Sequence, residues 1–209
     1  MLCHLHPFQL SDTSIQLWIP DAGWVQQQYQ QQLQAGKAVD FPYWAQVWPA
    51  AKALAAYIAA NPALVQNKHV VEMAAGLGLP GLTAARFASR VIISDYIEAP
   101  LHLVKKSATE NKFTNVHCSI LNWNNADADP NTEVLLLSDI NYDPTCFDKL
   151  LSMLHQFLQA GTTILLSTPH RIAGKTFIEM LKPWVVNQQL FAIPHQQQSV
   201  DCSVYHLQH

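Results

Sequence analysis

Charge is scarce in this chain, and long apolar runs are absent. Only 13% of its 209 residues are Asp, Glu, Lys or Arg, and they leave a net charge of −3. Beyond Lys105-Lys106 there is no basic cluster, so the electrostatic footprint of phosphate contact is missing and nucleic acid is not an expected substrate. The hydrophobic fraction reaches 49%, yet Lys52, Pro62 and Gly76 interrupt the longest apolar stretches well short of the ~20 residues a bilayer span needs. Met1 to Pro7 hold neither a basic start nor a sustained apolar run, so no export signal is expected, and the default compartment is the cytoplasm. Cys3, Cys118, Cys146 and Cys202 are scattered without a CxxC pair, which argues against a zinc knuckle and a disulfide framework. Ten histidines show neither HxxxH nor HExxH spacing, and Cys3, His4 and His6 sit at a terminus expected to be mobile, so no metal site is expected.

What is present has a clear order. Length and composition suit one domain, with residues 1–40 as an N-terminal elaboration and 41–209 as the core. Ile15, Leu17 and Ile19 alternate with Ser14, Gln16 and Trp18, as in a half-buried strand or hairpin arm ending at Pro20-Asp21. Trp24, Val25, Tyr29 and Leu33 fall at helical spacing within a glutamine-rich stretch that closes at Gly36, which reads as a solvated helix. Pro49 can open a second helix, since its missing N–H would be unpaired at that position anyway.

From residue 69 the rhythm changes to short β-branched runs alternating with helical ones. Strands are expected at His69–Met73, Val91–Ser94, Val116–Ile120, Val134–Ser138 and Thr162–Ser167, and helices at Gly81–Ala88, Ala99–Asn111, Phe147–Leu158 and Ile172–Leu181. Strands joined by helical crossovers predict an α/β, Rossmann-like, doubly wound sheet, mostly parallel. Val185–Phe191 and Ser203–Leu207, with only a Gln-rich connection between them, add a C-terminal antiparallel hairpin and bring the sheet to seven strands.

Val70-Val71-Glu72-Met73-Ala74-Ala75-Gly76-Leu77-Gly78-Leu79-Pro80-Gly81 runs from a strand through a small-residue turn into a helix, where backbone can approach a ligand at the helix N-terminus. The spacing Gly76-x-Gly78-x-x-Gly81 also matches the dinucleotide fingerprint, which by itself leaves the cofactor open. Glu72, at the end of a buried strand, calls for a cation or a donor. S-adenosylmethionine would supply an ammonium and a positive sulfur. Asp95 closes the next apolar run, where a carboxylate can accept two ribose hydroxyls or cap a helix. Asp139-Ile140-Asn141-Tyr142 follows the run Val134–Ser138 at a strand's carboxyl end, where such sheets bind ligands; a turn cap and a packing tyrosine are the plainer reading.

These blocks, taken with Pro42-Tyr43-Trp44-Ala45-Gln46-Val47-Trp48-Pro49-Ala50 and Leu121-Asn122-Trp123, resemble the seven-strand lysine methyltransferases. That family includes the enzymes acting on the electron-transfer flavoprotein β subunit and on valosin-containing protein, and bacterial relatives described as nicotinamide N-methyltransferase-like. The resemblance spans roughly residues 40 to 180. It implies S-adenosylmethionine as cofactor, with Trp48 along its methionine end, Ala74, Ala75, Gly76 and Gly78 in the turn beneath it, Asp95 on the ribose, Trp123 against adenine and Ser138 at the fourth core strand's end. Asp139 and Tyr142, matching the family's DxxY signature, would be the catalytic pair facing an amine, and Asn111 would be structural.

The family usually carries glycine where this chain has Ala74, and a Cβ at positive φ costs of order 1 kcal/mol. The resemblance implies an N-methyltransferase acting on a protein lysine. A small-molecule amine or pyridine acceptor, or a cofactor-binding but catalytically silent interaction protein, are the alternatives; an NAD-dependent reductase would leave Glu72, Trp123 and the DxxY block without a role. The loop Thr168-Pro169-His170-Arg171 follows the fifth core strand, where a lid would lie.

Overall fold

The structure, a computed structural model, describes residues 1–10, 13–125 and 129–209. The chain opens with an antiparallel hairpin, β1 (Cys3–Leu10) and β2 (Thr13–Pro20). Its first residues are therefore not a mobile terminus. Pairing from Cys3 opposite Pro20 to Leu10 opposite Thr13 anchors the backbone, although most of the β1 side chains, His4 and His6 among them, point to solvent. Ile15 and Leu17 are fully buried, as the alternation requires.

Helix α1 (Ala22–Gln34) starts where the Asp21 carboxylate accepts the Trp24 N–H at 2.8 Å, and Gly36 follows its end at φ +70°. No residue of α1 is buried, so the glutamine helix is a solvated one. Helix α2 (Pro49–Ala60) carries Pro49 at its first position and buries Ala50, Ala53, Leu54, Tyr57 and Ile58.

The alternation that follows is β3 (His69–Met73), α3 (Leu79–Ala84), β4 (Arg90–Asp95), α4 (Glu98–Glu110), β5 (Val116–Ile120), β6 (Val134–Ser138), α5 (Phe147–Gln159), β7 (Thr163–Pro169), α6 (Ile172–Leu181), β8 (Val185–His195) and β9 (Gln198–Leu207). Helix α3 is shorter than its composition suggested, because after Ala84 the chain tightens into turns such as Phe87 N–H to Ala84 C=O at 2.9 Å. The terminal hairpin is longer: its strands run to His195 and Gln198, and the glutamine-rich connection shrinks to a tight turn with Gln196 at φ +54°.

The seven strands lie in the order β5-β4-β3-β6-β7-β9-β8. The first five are parallel, and β9 runs antiparallel to both β7 and β8. Strand side chains divide between two cores by the two-residue period. Val70, Ile93, Val134 and Leu136 pack with α2, α3, α4 and the buried face of β2, whereas Val71, Met73, Leu135 and Leu137 pack with α5 and α6. The hairpin is tied down from α4. The Asn111 amide accepts the Gln16 N–H at 2.9 Å and donates to the Gln16 carbonyl at 2.6 Å, the structural role expected of it, while Ser107 Oγ accepts the Trp18 N–H at 2.9 Å.

Connections leave β3 towards β5 on one side and towards β7 on the other, so strand order reverses between β3 and β6. A crevice opens there at the strands' carboxyl ends. Among the described residues no helix is long and apolar enough to cross a membrane.

Candidate active site

The crevice holds a cavity of about 380 Å³, within the range of small-molecule sites. Its floor is the turn after β3. Ala74 (φ +51°), Gly76 (φ +52°) and Gly78 (φ +69°) all take the left-handed region, which folds the turn flat against the sheet end. Ala75 N–H donates to the Ser94 carbonyl at 3.0 Å, and Gly76 N–H to Asp95 Oδ2 at 2.8 Å. Ala74 thus occupies the positive φ at which glycine is the ordinary residue, strain that its Cβ bears in the folded chain.

Asp95 ends β4 and is almost wholly buried. Its other oxygen accepts the Ile97 N–H at 3.0 Å, so the carboxylate also helps turn the chain into α4, whose N-cap is Ile97 itself. Burial pushes its pKa up, and the amides of Ile97, Gly76 and Tyr96 oppose that shift. Two N–H donors leave acceptor capacity on the two oxygens.

Of the residues expected at the site, Trp48, Ala74, Ala75, Gly76, Gly78, Asp95, Trp123, Ser138, Asp139 and Tyr142 all line this cavity. Trp48 is fixed by its indole N–H, which donates to the Tyr43 carbonyl at 2.7 Å. Trp123 lies in a short 3-10 turn after β5. The DxxY segment leaves β6 with Asp139 at φ +56°. Tyr142 is mostly exposed and stands 6.1 Å, ring to ring, from Tyr43. Burial, with Cys146, Asp143, Tyr43 and Asp139 around it, raises the Tyr142 pKa further above its usual alkaline value, so it is a neutral hydroxyl at physiological pH.

Glu72, expected to meet the cofactor, stands apart from the other expected residues. It is fully buried and absent from the cavity wall; its Oε2 accepts the Gly81 N–H at 2.8 Å. The two-residue period explains this: Glu72 shares the Val70 face of β3, which α3 covers, and the turn separates it from the cavity. Desolvation raises its pKa to about 8, with the Gly81 amide opposing and Asp95 adding to the rise. The carboxyl braces the turn from beneath through the Gly81 N–H.

Sequence reasoning missed Phe41, Tyr96, Ile97 and Arg171 at the cavity. Tyr96 and Ile97 follow Asp95 directly, and position after a parallel strand would have been signal enough. The segment after the fifth core strand, where a lid would lie, continues the ladder: Thr168 pairs with Ser203, Pro169 with Cys202, and His170 N–H donates to the Asp201 carbonyl at 2.9 Å. Only Arg171 reaches the cavity from it, and both its terminal nitrogens engage Asp139.

A seven-strand sheet with this order, its hairpin at one edge and a glycine-turn cavity at the switch point define the class: Rossmann-like methyltransferases, whose cofactor is S-adenosylmethionine. Solved structures agree on the fold. The Pyrococcus abyssi tRNA (uracil-54, C5)-methyltransferase in complex with S-adenosyl-L-homocysteine matches 97% of this chain and 44% of its own, with a TM-score of 0.62 at 12% identity. The Aquifex aeolicus tRNA (m1A58) methyltransferase matches 78% and 70%, with a TM-score of 0.58 at 14% identity.

The chain belongs to the lysine methyltransferase family, whose model matches residues 13–184. Its relatives include the Mus musculus histone-arginine methyltransferase METTL23, 31% identical over 56% of this chain and 49% of that protein. The Xenopus tropicalis protein N-lysine methyltransferase METTL21A is 32% identical over 65% of this chain and 66% of that protein. The Mus musculus electron transfer flavoprotein beta subunit lysine methyltransferase is 30% identical over 62% and 51%. The chain spans about half the length of several of these relatives.

Proposed function

We propose that this protein transfers a methyl group from S-adenosylmethionine to a side-chain nitrogen of another protein, with a lysine amine as the acceptor. One observation carries the reading. A single cavity brings the glycine turn, Asp95 and Trp123 together with Asp139 and Tyr142, so the walls this reading gives to the nucleoside and to the amine face the same space.

The fit to the cofactor rests on the turn and on Asp95. Gly76 and Gly78 at positive φ give a flat backbone floor, and the remaining acceptor capacity of Asp95 suits a pair of vicinal hydroxyls. Trp123 offers an aromatic face for adenine, Ser138 a hydroxyl, and Trp48 an immobilised indole for the methionine end. When bound, S-adenosylmethionine supplies an electrophilic methyl on a positive sulfur.

The protein's task is then to hold an uncharged nitrogen in line with that methyl. Tyr142, a neutral hydroxyl at the open rim, and Asp139, deeper and nearly buried, accept hydrogen bonds from the nitrogen and aim its lone pair. A free lysine amine, with its pKa near ~10.4, is mostly protonated at neutral pH and sheds a proton before attack. The rim aromatics Phe41, Tyr43 and Tyr142 suit the approach of a cationic side chain. A guanidinium acceptor is the second reading, favoured by the histone-arginine methyltransferases among the relatives.

The test is transfer of labelled methyl from S-adenosylmethionine to proteins of a cell lysate, with mass spectrometry to place the methyl on lysine or arginine. Asp139→Ala and Tyr142→Phe are expected to lose at least about a hundredfold in rate through misplacement of the nitrogen, while S-adenosylhomocysteine still stabilises both variants. Full activity in both would refute the assignment.

A further inference from the structure

Asp139 does not meet the cavity alone. Its N–H donates to the Ser167 carbonyl of β7 at 2.8 Å, and its backbone takes φ +56°. The guanidinium of Arg171, at the N-cap of α6, grips both carboxylate oxygens: Nη1 bonds Oδ1, and Nη2 bonds Oδ2 at 2.8 Å. Such a two-point fork fixes a carboxylate in orientation as well as in charge. Among the described residues lining the cavity, Arg171 is the one cationic side chain.

This pair answers a difficulty in the chemistry. A bare carboxylate beside an amine favours the ammonium form, which has no lone pair and cannot attack. A guanidinium on the far side of that carboxylate opposes the effect. It does so without blocking the approach, because each carboxylate oxygen offers two acceptor positions and the fork takes one from each.

We propose that Arg171 is a positioning residue of the methyl transfer: its fork holds Asp139 in a fixed orientation and offsets its charge, so that an acceptor amine is aimed without its ammonium form being stabilised. The inference rests on the reading that Asp139 faces the acceptor. Other groups around the pair do not replace it. Tyr142 stands beside Asp139, with Tyr43, Asp143 and Cys146 around that ring; Cys202 of β9 lies on the ladder side, and Asp95 and Tyr96 line the same cavity. All of these are neutral or acidic. Burial pushes the Asp139 carboxyl up, and the hydrogen bonds and charge of Arg171 oppose that rise.

Carbon-13 titration of the Asp139 carboxyl tests this directly, in the chain saturated with S-adenosylhomocysteine and with the signal assigned by its loss in Asp139→Asn. In R171Q the midpoint is expected to rise by about one to three pH units. In R171K, which restores the charge but not the fork and so guards against a general loss of structure in R171Q, the rise is smaller. An unchanged midpoint in R171Q overturns the proposal.

Initial rates with poly-L-lysine as the acceptor probe, across the neutral to alkaline range, supply the second arm. The acid limb of the R171Q profile is expected to move to higher pH, with kcat reduced at neutral pH and KM little changed, and R171K to recover part of it. R171Q rates that match wild type at every pH overturn the charge-offset role. If wild type binds S-adenosylhomocysteine but leaves poly-L-lysine unmethylated, that failure belongs to the lysine-acceptor reading, and the Asp139 midpoint still decides whether Arg171 holds the carboxylate.

Discussion

Replacing Glu72 by Gln separates a brace from a ligand contact, and the structure gives its magnitude. The carboxyl is fully buried, with a pKa raised from 4.5 to about 8 chiefly by desolvation. In the unfolded chain it titrates at its ordinary value, so between these two values the folded state binds the extra proton. Stability is therefore fully present below the unfolded pKa and is lost as pH rises through the folded one. At 1.36 kcal/mol per pH unit, the loss is of order 3 kcal/mol by pH 7 and approaches its limit above about pH 8.

Glutamine keeps an oxygen to accept the Gly81 N–H, and its amide replaces an Oε1 that already has no partner among the described residues. The variant should therefore match wild type to within ~1 kcal/mol near pH 4.5 and exceed it by a few kcal/mol above pH 8, with a flatter pH dependence. Urea unfolding at a series of pH values, with and without S-adenosylhomocysteine, measures both. Because Glu72 does not line the cavity, the Kd for S-adenosylhomocysteine should change by less than about tenfold, under ~1.4 kcal/mol. A variant no more stable at alkaline pH, or one losing a hundredfold in affinity, would refute the brace and restore the carboxylate as a cofactor partner.

Three further outcomes follow from the same geometry. Ala74→Gly relieves a left-handed backbone costing about 1–2 kcal/mol but adds about 0.5–1 kcal/mol of backbone entropy loss, so the melting temperature should rise by only a few degrees. Its Kd for S-adenosylmethionine, measured by calorimetry, should stay near wild type if the strain is carried by folding, and should tighten if the Ala74 Cβ intrudes on the cavity. Asp95→Asn replaces an acceptor oxygen with an amide in a carboxylate holding two backbone N–H groups, and should weaken cofactor binding by about ten- to a hundredfold, ~1.4–3 kcal/mol, read by the same calorimetry. Asn111→Ala unpairs the Gln16 N–H and C=O and should cost about 1–3 kcal/mol, a drop of several degrees by differential scanning calorimetry, with cofactor affinity retained.

The alternation of apolar runs, Pro49 at a helix start and the glycine turn after Met73 are local signals, and each reports a local preference of backbone or side-chain period. They determined the order of elements, the doubly wound class, and which strand ends would carry Asp95 and Asp139, because a residue that closes a parallel strand stands at the crevice wherever that strand lies.

Tertiary structure decided matters that depend on neighbours distant in sequence. Glu72 ended under α3, since its face of β3 is covered and the Gly81 amide is the donor within reach. The polar first strand was held in place by pairing with β2, which Asn111 and Ser107 anchor from α4. The Asp139–Arg171 pair joins residues 32 apart through the adjacency of β6 and β7, and no spacing in the sequence encodes it. Side-chain period and strand ends are written in the chain itself; which charge meets which is fixed only when the sheet brings their strands together.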